Sequence, residues 1–228
     1  MDTQPRWIAL VLYTAGMAWA ESATVFYLRT LVGRVDPYQP HPIPVRADLI
    51  GVELVRETAA MVMLAAVAWL AGRTTRSRFG SFLIAFGIWD ILYYVFLHAI
   101  SGWPRSPLDW DVLFLLPLPW WGPVLAPATI ALVMIAGGTL LCRAEQVDPA
   151  LRPRRWTWGL SAFGVALALY VFMADAISVA AEGMDAINTV RPVWFNWPLF
   201  LLAVVAMTGP FIDLAGRLHV RATRARGS

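Results

Sequence analysis

The chain contains no lysine; all 18 of its basic residues are arginines. Without a lysine amine there is no Schiff base, so retinal-type chemistry is excluded. Cysteine is almost as scarce, with Cys142 alone at the end of an apolar run. A single thiol excludes an internal disulfide, a CxxC redox pair and a thiolate metal cage. Of the three histidines, His41 and His219 fall in a loop and the tail, leaving His98 alone within an apolar run. That argues against a bis-histidine haem inside a membrane. Charge is scarce as a whole, at 14% of 228 residues against about 25% in soluble domains.

What fills the chain is apolar: 59% of residues are hydrophobic and the mean hydropathy is +0.60. Several windows of about twenty residues carry almost no charge, which is the pattern of membrane-spanning helices. The expected fold is an all-α, polytopic integral membrane protein, one helical bundle over 1–228. It has about six transmembrane helices, with an interfacial or re-entrant segment between the third and fourth. The net charge of +3 sits in short loops between apolar runs, where topology explains it, so no nucleic-acid partner is expected.

The first span reads as Trp7 to Leu28, with Glu21 inside it. Its start resembles a signal peptide, with Ala18-Trp19-Ala20 as a small-x-small pattern. Asp2 offsets Arg6, however, and the apolar run resumes after Glu21, so an uncleaved span is expected. Residues 29–46, RTLVGRVDPYQPHPIPVR, hold four prolines and read as an extended loop. The second span is Leu49 to Ala71, and the turn GRTTRSR leads to the third, Phe79 to Ile100. Residues 101–127 then combine Pro104, Pro107, Pro117, Pro119, Pro123 and Pro127 with Trp103, Trp110, Trp120 and Trp121. Such proline density breaks helix, and tryptophan favours the membrane–water interface. The fourth span is Val124 to Cys142, with Gly137 and Gly138 permitting close helix approach. The fifth is Trp158 to Ala180, the sixth Trp194 to Ala215, and a basic tail follows that is expected to be disordered at its end.

Arginine counts orient these spans. The N-terminus, the 72–78 turn, the 143–155 connection and the tail hold 12 arginines, against 5 in the three loops of the other side. The positive-inside rule then places both termini in the cytoplasm, and the location expected is the cell inner membrane. On this orientation Glu21, Glu53, Glu57, Asp90, His98 and Asp175 all fall between the midplane and the outer surface.

A charged side chain inside the hydrocarbon is costly, and is paired or functional when present. Glu53, Arg56 and Glu57 are spaced three and four residues apart, on one side of a helix. Asp90, Tyr94 and His98 advance by fours and read as a polar stripe with Tyr93 beside it. Should Glu21, Glu53, Glu57 and Asp90 converge on Arg56, four acids face one fixed cation. Such a cluster takes up protons or binds cations. The bland reading makes Arg56 a structural bridge to one or two glutamates while the other acids face elsewhere, and His98 an interface anchor. Asp109 reads as the cap of a short helix, with Asp111 as a contributor to a lid.

The leading functional expectation is a membrane-embedded enzyme, or catalytic subunit, acting on a lipid-soluble substrate in the outer half of the bilayer. Glu53, Glu57, Asp90, Arg56 and Tyr94 are the candidate catalytic residues. Glu21, Glu53, Glu57, Asp90 and His98 are candidate ligands for a divalent metal, the only cofactor the residue types suggest; an oxygen-rich set suits Mg, Ca, Mn or Fe. A small cation- or proton-coupled transporter is the alternative, and a non-catalytic subunit of a larger membrane complex the third. Partners expected are membrane lipids, a lipid-soluble substrate or cation, and a second copy of the chain or a larger complex.

Overall fold

The computed structural model describes residues 4–33, 36–38, 47–114, 118–183, 186–187 and 190–226. Apart from one two-stranded hairpin and a short 3-10 turn, their regular structure is α-helical. The helices are α1 (Gln4–Leu31), α2 (Ala47–Ala71), α3 (Thr75–Ser101), α4 (Leu125–Val147), α5 (Arg155–Ser178), α6 (Trp197–Met207) and α7 (Gly209–Arg226), and the strands β1 (Trp110–Val112) and β2 (Trp121–Pro123) lie between α3 and α4. Five helices are long and apolar enough to cross a membrane, and α6 with α7 makes a sixth if the bent pair is one span.

The helices begin and end where local chemistry dictates. The α2–α3 turn is closed by a capping box, in which Thr74 accepts from the Ser77 amide and Ser77 reaches back to the Thr74 amide. At its other end α3 stops at Gly102, whose φ of 74° is the left-handed cap conformation that glycine adopts without strain. Asn196 caps α6 by accepting from the Leu199 amide. Along α1, the hydroxyls of Thr14, Ser22, Thr24 and Thr30 bond carbonyls one turn back, so these polar groups are satisfied within an apolar helix.

Helix α3 is the hub: it packs against α4, α1 and α2, while α5 packs against α6 and α7. The α3–α4 seam is made of small residues. A Cβ at Gly87 would lie 2.5 Å from the Ala131 carbonyl oxygen, and one at Gly138 would lie 2.5 Å from that of Gly80. Backbones approach this closely only where side chains are nearly absent. By contrast α2 is the least covered span, packing on α1 and α3 and making no extensive contact with α5.

Several sequence expectations change here. The Pro/Trp-rich segment folds as an antiparallel hairpin, with Trp110 opposite Pro123, Asp111 opposite Gly122 and Val112 opposite Trp121. Consequently Asp109 caps no helix; its Oδ2 accepts from the Arg105 and Ser106 amides and closes the turn before β1. The segment expected as the sixth span is two helices, α6 and α7, bent by 41°. Pro210 lacks the amide that would continue the ladder, and its ring crowds the preceding turn. Helix α1 runs on to Leu31, so Arg29 is helical rather than in the loop, and the basic tail stays helical to Arg226. Most of the 34–46 loop, expected to be extended, lies outside the described residues.

Residue 38 belongs to the described part of that loop. Tyr38 stacks on Trp110, packs edge-on against Trp121 and donates to the Pro192 carbonyl at 2.9 Å. The hairpin is thereby bound to both neighbouring connections, and this end of the bundle is called the hairpin end.

Candidate functional site

A cavity of about 630 Å³ runs inside the bundle and is lined by α1 to α7 and the hairpin. Its polar residues gather toward the hairpin end. Glu21 and Arg29 come from α1, Glu53, Arg56 and Glu57 from α2, Asp90, Tyr93 and Tyr94 from α3, and Asp111 from β1. Glu21, Glu57 and Asp90 lie ten, ten and eleven residues from the hairpin ends of their helices. At 1.5 Å per residue this is about 15 to 17 Å, so three helices present carboxylates at similar depths.

Two ion-pair networks organise these groups. Arg56 Nε donates to Glu53 Oε2 at 2.9 Å, its Nη2 bonds the other oxygen of Glu53, and its Nη1 bonds Glu21 Oε1. The first two contacts are a bidentate pair within α2, and the third ties α2 to α1. The bridging role considered for Arg56 is therefore real for Glu21 and Glu53, while Glu57 and Asp90 still line the same cavity. Glu57 is 8% exposed.

The second network holds the hairpin. Arg29 Nη2 donates to Asp111 Oδ1 at 2.7 Å, Tyr94 donates its hydroxyl to Asp111 Oδ2 at 3.2 Å, and the Val112 amide donates to Oδ1 at 2.9 Å. Asp111 is 1% exposed. Burial pushes its carboxyl above the ordinary value, and the Arg29 guanidinium opposes that shift. The Arg29 guanidinium also lies over the Trp103 ring, 4.2 Å from its centroid.

Asp90 belongs to neither network. It is half-buried and lines the cavity, and its Oδ2 is shielded and has no hydrogen-bond partner. The indole nitrogens of Trp89 and Trp120, also on the cavity wall, are unpartnered too.

Away from the hairpin end the lining turns apolar, with Phe82, Phe86, Met134, Val165 and Phe211. Ser161 is polar there, but its hydroxyl donates to the Met207 carbonyl. The cavity is thus amphipathic along its length.

Of the candidate catalytic set, Glu53, Arg56, Glu57, Asp90 and Tyr94 all line this cavity, although the Tyr94 hydroxyl is committed to Asp111. The candidate metal set is not brought together. Glu21, Glu53, Glu57 and Asp90 are on the wall, but His98 is exposed and its Nδ1 pairs with the Pro104 carbonyl at 2.8 Å. Among the described residues no three His, Cys, Asp or Glu side chains are grouped to hold a metal ion. Eight residues at 100° each leave a helix position 80° from its start, which takes His98 off the face shared by Asp90 and Tyr94. Asp175 lies outside the cavity lining as well.

Sequence reasoning passed over Arg29 as a loop residue and gave Asp111 only a lid role. The signal that could have found them is the pairing of a near-terminal arginine in one span with an acid in an apolar, Trp-rich connection. No known protein family, no curated protein and no solved structure matches this chain.

Proposed function

We propose that the chain is a membrane-embedded enzyme, or the catalytic subunit of one, that acts on a lipid-soluble substrate held in the amphipathic cavity. The single observation that carries this reading is the division of that cavity. Five carboxyl and two guanidinium groups line one part, and aromatic and aliphatic side chains line the remainder. An amphiphile fits such a space with its polar end at the acids and its chain among the apolar groups. Both termini lie in the cytoplasm by the arginine count, so the acidic part faces the outer half of the inner membrane.

Within this reading the residues divide their work. Asp90 and Glu57 are the acid/base pair, exchanging protons with the substrate at a carbon or ester centre. Arg56, with Glu53 and Glu21, supplies a fixed positive charge beside them and joins α1 to α2. Arg29, Tyr94 and Asp111 position the hairpin over the polar end. A divalent metal is not required by this scheme. Elemental analysis of wild type beside Glu53→Gln and Asp90→Asn tests for one, since a stoichiometric metal lost in both variants restores the metal reading.

The test of function is a comparison of membrane lipids from cells expressing wild type, Glu57→Gln or Asp90→Asn, resolved by mass spectrometry. A lipid species consumed or formed with wild type alone supports the enzyme. Identical lipid profiles, combined with cation or proton flux into liposomes that both variants abolish, would favour a transporter instead. The apolar remainder of the cavity offers such an ion no polar path.

A further inference from the structure

At the end of the bundle opposite the hairpin, a second cavity of about 200 Å³ lies among the ends of the first four helices. Its wall carries Arg6 and Trp7 from the first turn of α1, Arg73 from the α2–α3 turn, Ser77 from the start of α3, and Glu145 and Gln146 from the last turn of α4. The turn that places Arg73 is tightly built. Its amide donates to Ser77 Oγ at 3.0 Å beside the capping box, and a Cβ at Gly72 would lie 2.4 Å from the Arg78 amide nitrogen. Other arginines at this end face acids: Arg76 pairs with Glu145 at 3.6 Å, Arg154 and Arg217 with Asp213, and Arg221 with Asp148. Among the described residues Arg6 and Arg73 enter no ion pair. Glu145, the acid on the wall, is already taken by Arg76 and the Thr74 hydroxyl. Two guanidiniums thus give the cavity a positive charge that its own wall does not answer. Its depth is also defined. The apolar stretch of α1 begins at Arg6, that of α2 ends at Ala71 and that of α3 begins at Thr75. Both arginines therefore stand where spanning helix gives way to the headgroup layer.

We propose that this cavity holds the phosphate of an anionic phospholipid, bound between the Arg6 and Arg73 guanidiniums. A planar guanidinium donates to phosphate oxygens two at a time, and basic pockets between spans are where anionic headgroups are held. Gln146 adds an amide donor, and Trp7 an aromatic ring at headgroup level. The same helix ends expose Ile8, Leu12 and Leu70, an apolar surface for acyl chains that a free phosphate would leave unused. The site shares no lining residue with the central cavity and does not depend on what that cavity binds.

The test uses the purified full chain in detergent. Radiolabelled dioleoylphosphatidylglycerol and dioleoylphosphatidylcholine are titrated separately, with uptake by protein-free micelles subtracted. Wild type is expected to bind the anionic lipid about 25-fold more tightly, from about fivefold for each arginine at the headgroup. Arg6→Gln and Arg73→Gln should each lose about fivefold of that preference, and the double variant should bind the two lipids alike. Neither side chain makes an ion pair, so these variants leave the contacts of the fold in place. Arg143→Gln, which removes an exposed arginine of α4 outside the cavity, should retain the wild-type preference. Equal affinity of wild type for the two lipids overturns the assignment. A loss in Arg143→Gln as large as that in Arg73→Gln also overturns it, in favour of diffuse charge at this end. Displacement of the bound lipid by inorganic phosphate at constant ionic strength would assign the cavity to a free anion, whereas retention of the lipid supports the proposal.

Discussion

Arg29 and Asp111 show how much a single buried pair can hold. Removing the arginine leaves a carboxylate that is 1% exposed facing no guanidinium, and breaking a buried pair from one side costs about 3 to 5 kcal/mol. Arg29→Ala is therefore expected to lower the thermal midpoint in detergent more than Asp111→Asn, which keeps an acceptor for Tyr94. The double variant should be more stable than Arg29→Ala alone; additive losses in the thermal cycle would argue against coupling. A second residue-scale expectation concerns Arg56. Arg56→Gln removes the cation shared by Glu21 and Glu53 and should destabilise the α1–α2 contact by about 3 kcal/mol, read by unfolding of the purified protein. Glu21, Glu53, Glu57 and Asp90 were legible in the sequence because each interrupts an apolar run. Asp111 was not, since its burial depends on a strand pairing that three-residue strands hardly announce. His98 looked like part of a stripe because steps of four residues were extended one turn too far.

At the α3–α4 seam the elements meet through close backbone contact. Gly87→Ala would drive its new methyl against the Ala131 carbonyl oxygen, a backbone atom that cannot yield as a side-chain tip would. A loss of about 1 to 3 kcal/mol is expected from such overpacking. Gly159→Ala in α5 is the matched comparison, because nothing lies within 4 Å of its added Cβ. It should be neutral or gain up to about 1 kcal/mol of helix propensity. Equal effects of the two substitutions on the thermal midpoint would remove the argument for a tight α3–α4 seam. At this scale the helices were readable from hydropathy, with ends differing by a few residues where capping chemistry decided them. The hairpin and the break before α7 were less so. Proline density signals that a helix stops, but not whether the chain then turns, bends or pairs.

For the whole molecule, composition pointed to a membrane bundle and five helices, or six with the bent pair, are long and apolar enough to span one, while the arginine count supplied an orientation that labelling can check. In a Cys142→Ser background, Leu108→Cys places a thiol at the exposed hairpin end and Thr75→Cys places one at the α2–α3 turn. A membrane-impermeant maleimide should label position 108 in intact cells and position 75 only after permeabilisation. The reverse pattern would invert the molecule and move the acidic part of the cavity to the inner leaflet. What the sequence could not convey was the cavity itself, because it depends on which helices leave a gap between them.

That gap has a kinetic consequence. The hairpin, pinned by Arg29 and bound to Tyr38, lines one end of the cavity, while α2 packs on α1 and α3 and makes no extensive contact with α5. On the proposed reading, a substrate dissolved in the bilayer would reach the cavity sideways, by diffusion in two dimensions. The variable that sets its rate of capture is its mole fraction among the surrounding lipids, not its amount per litre. Adding inert phospholipid to a reconstituted preparation at constant total substrate should slow turnover by surface dilution, whereas diluting the vesicles with buffer should leave the rate per protein unchanged.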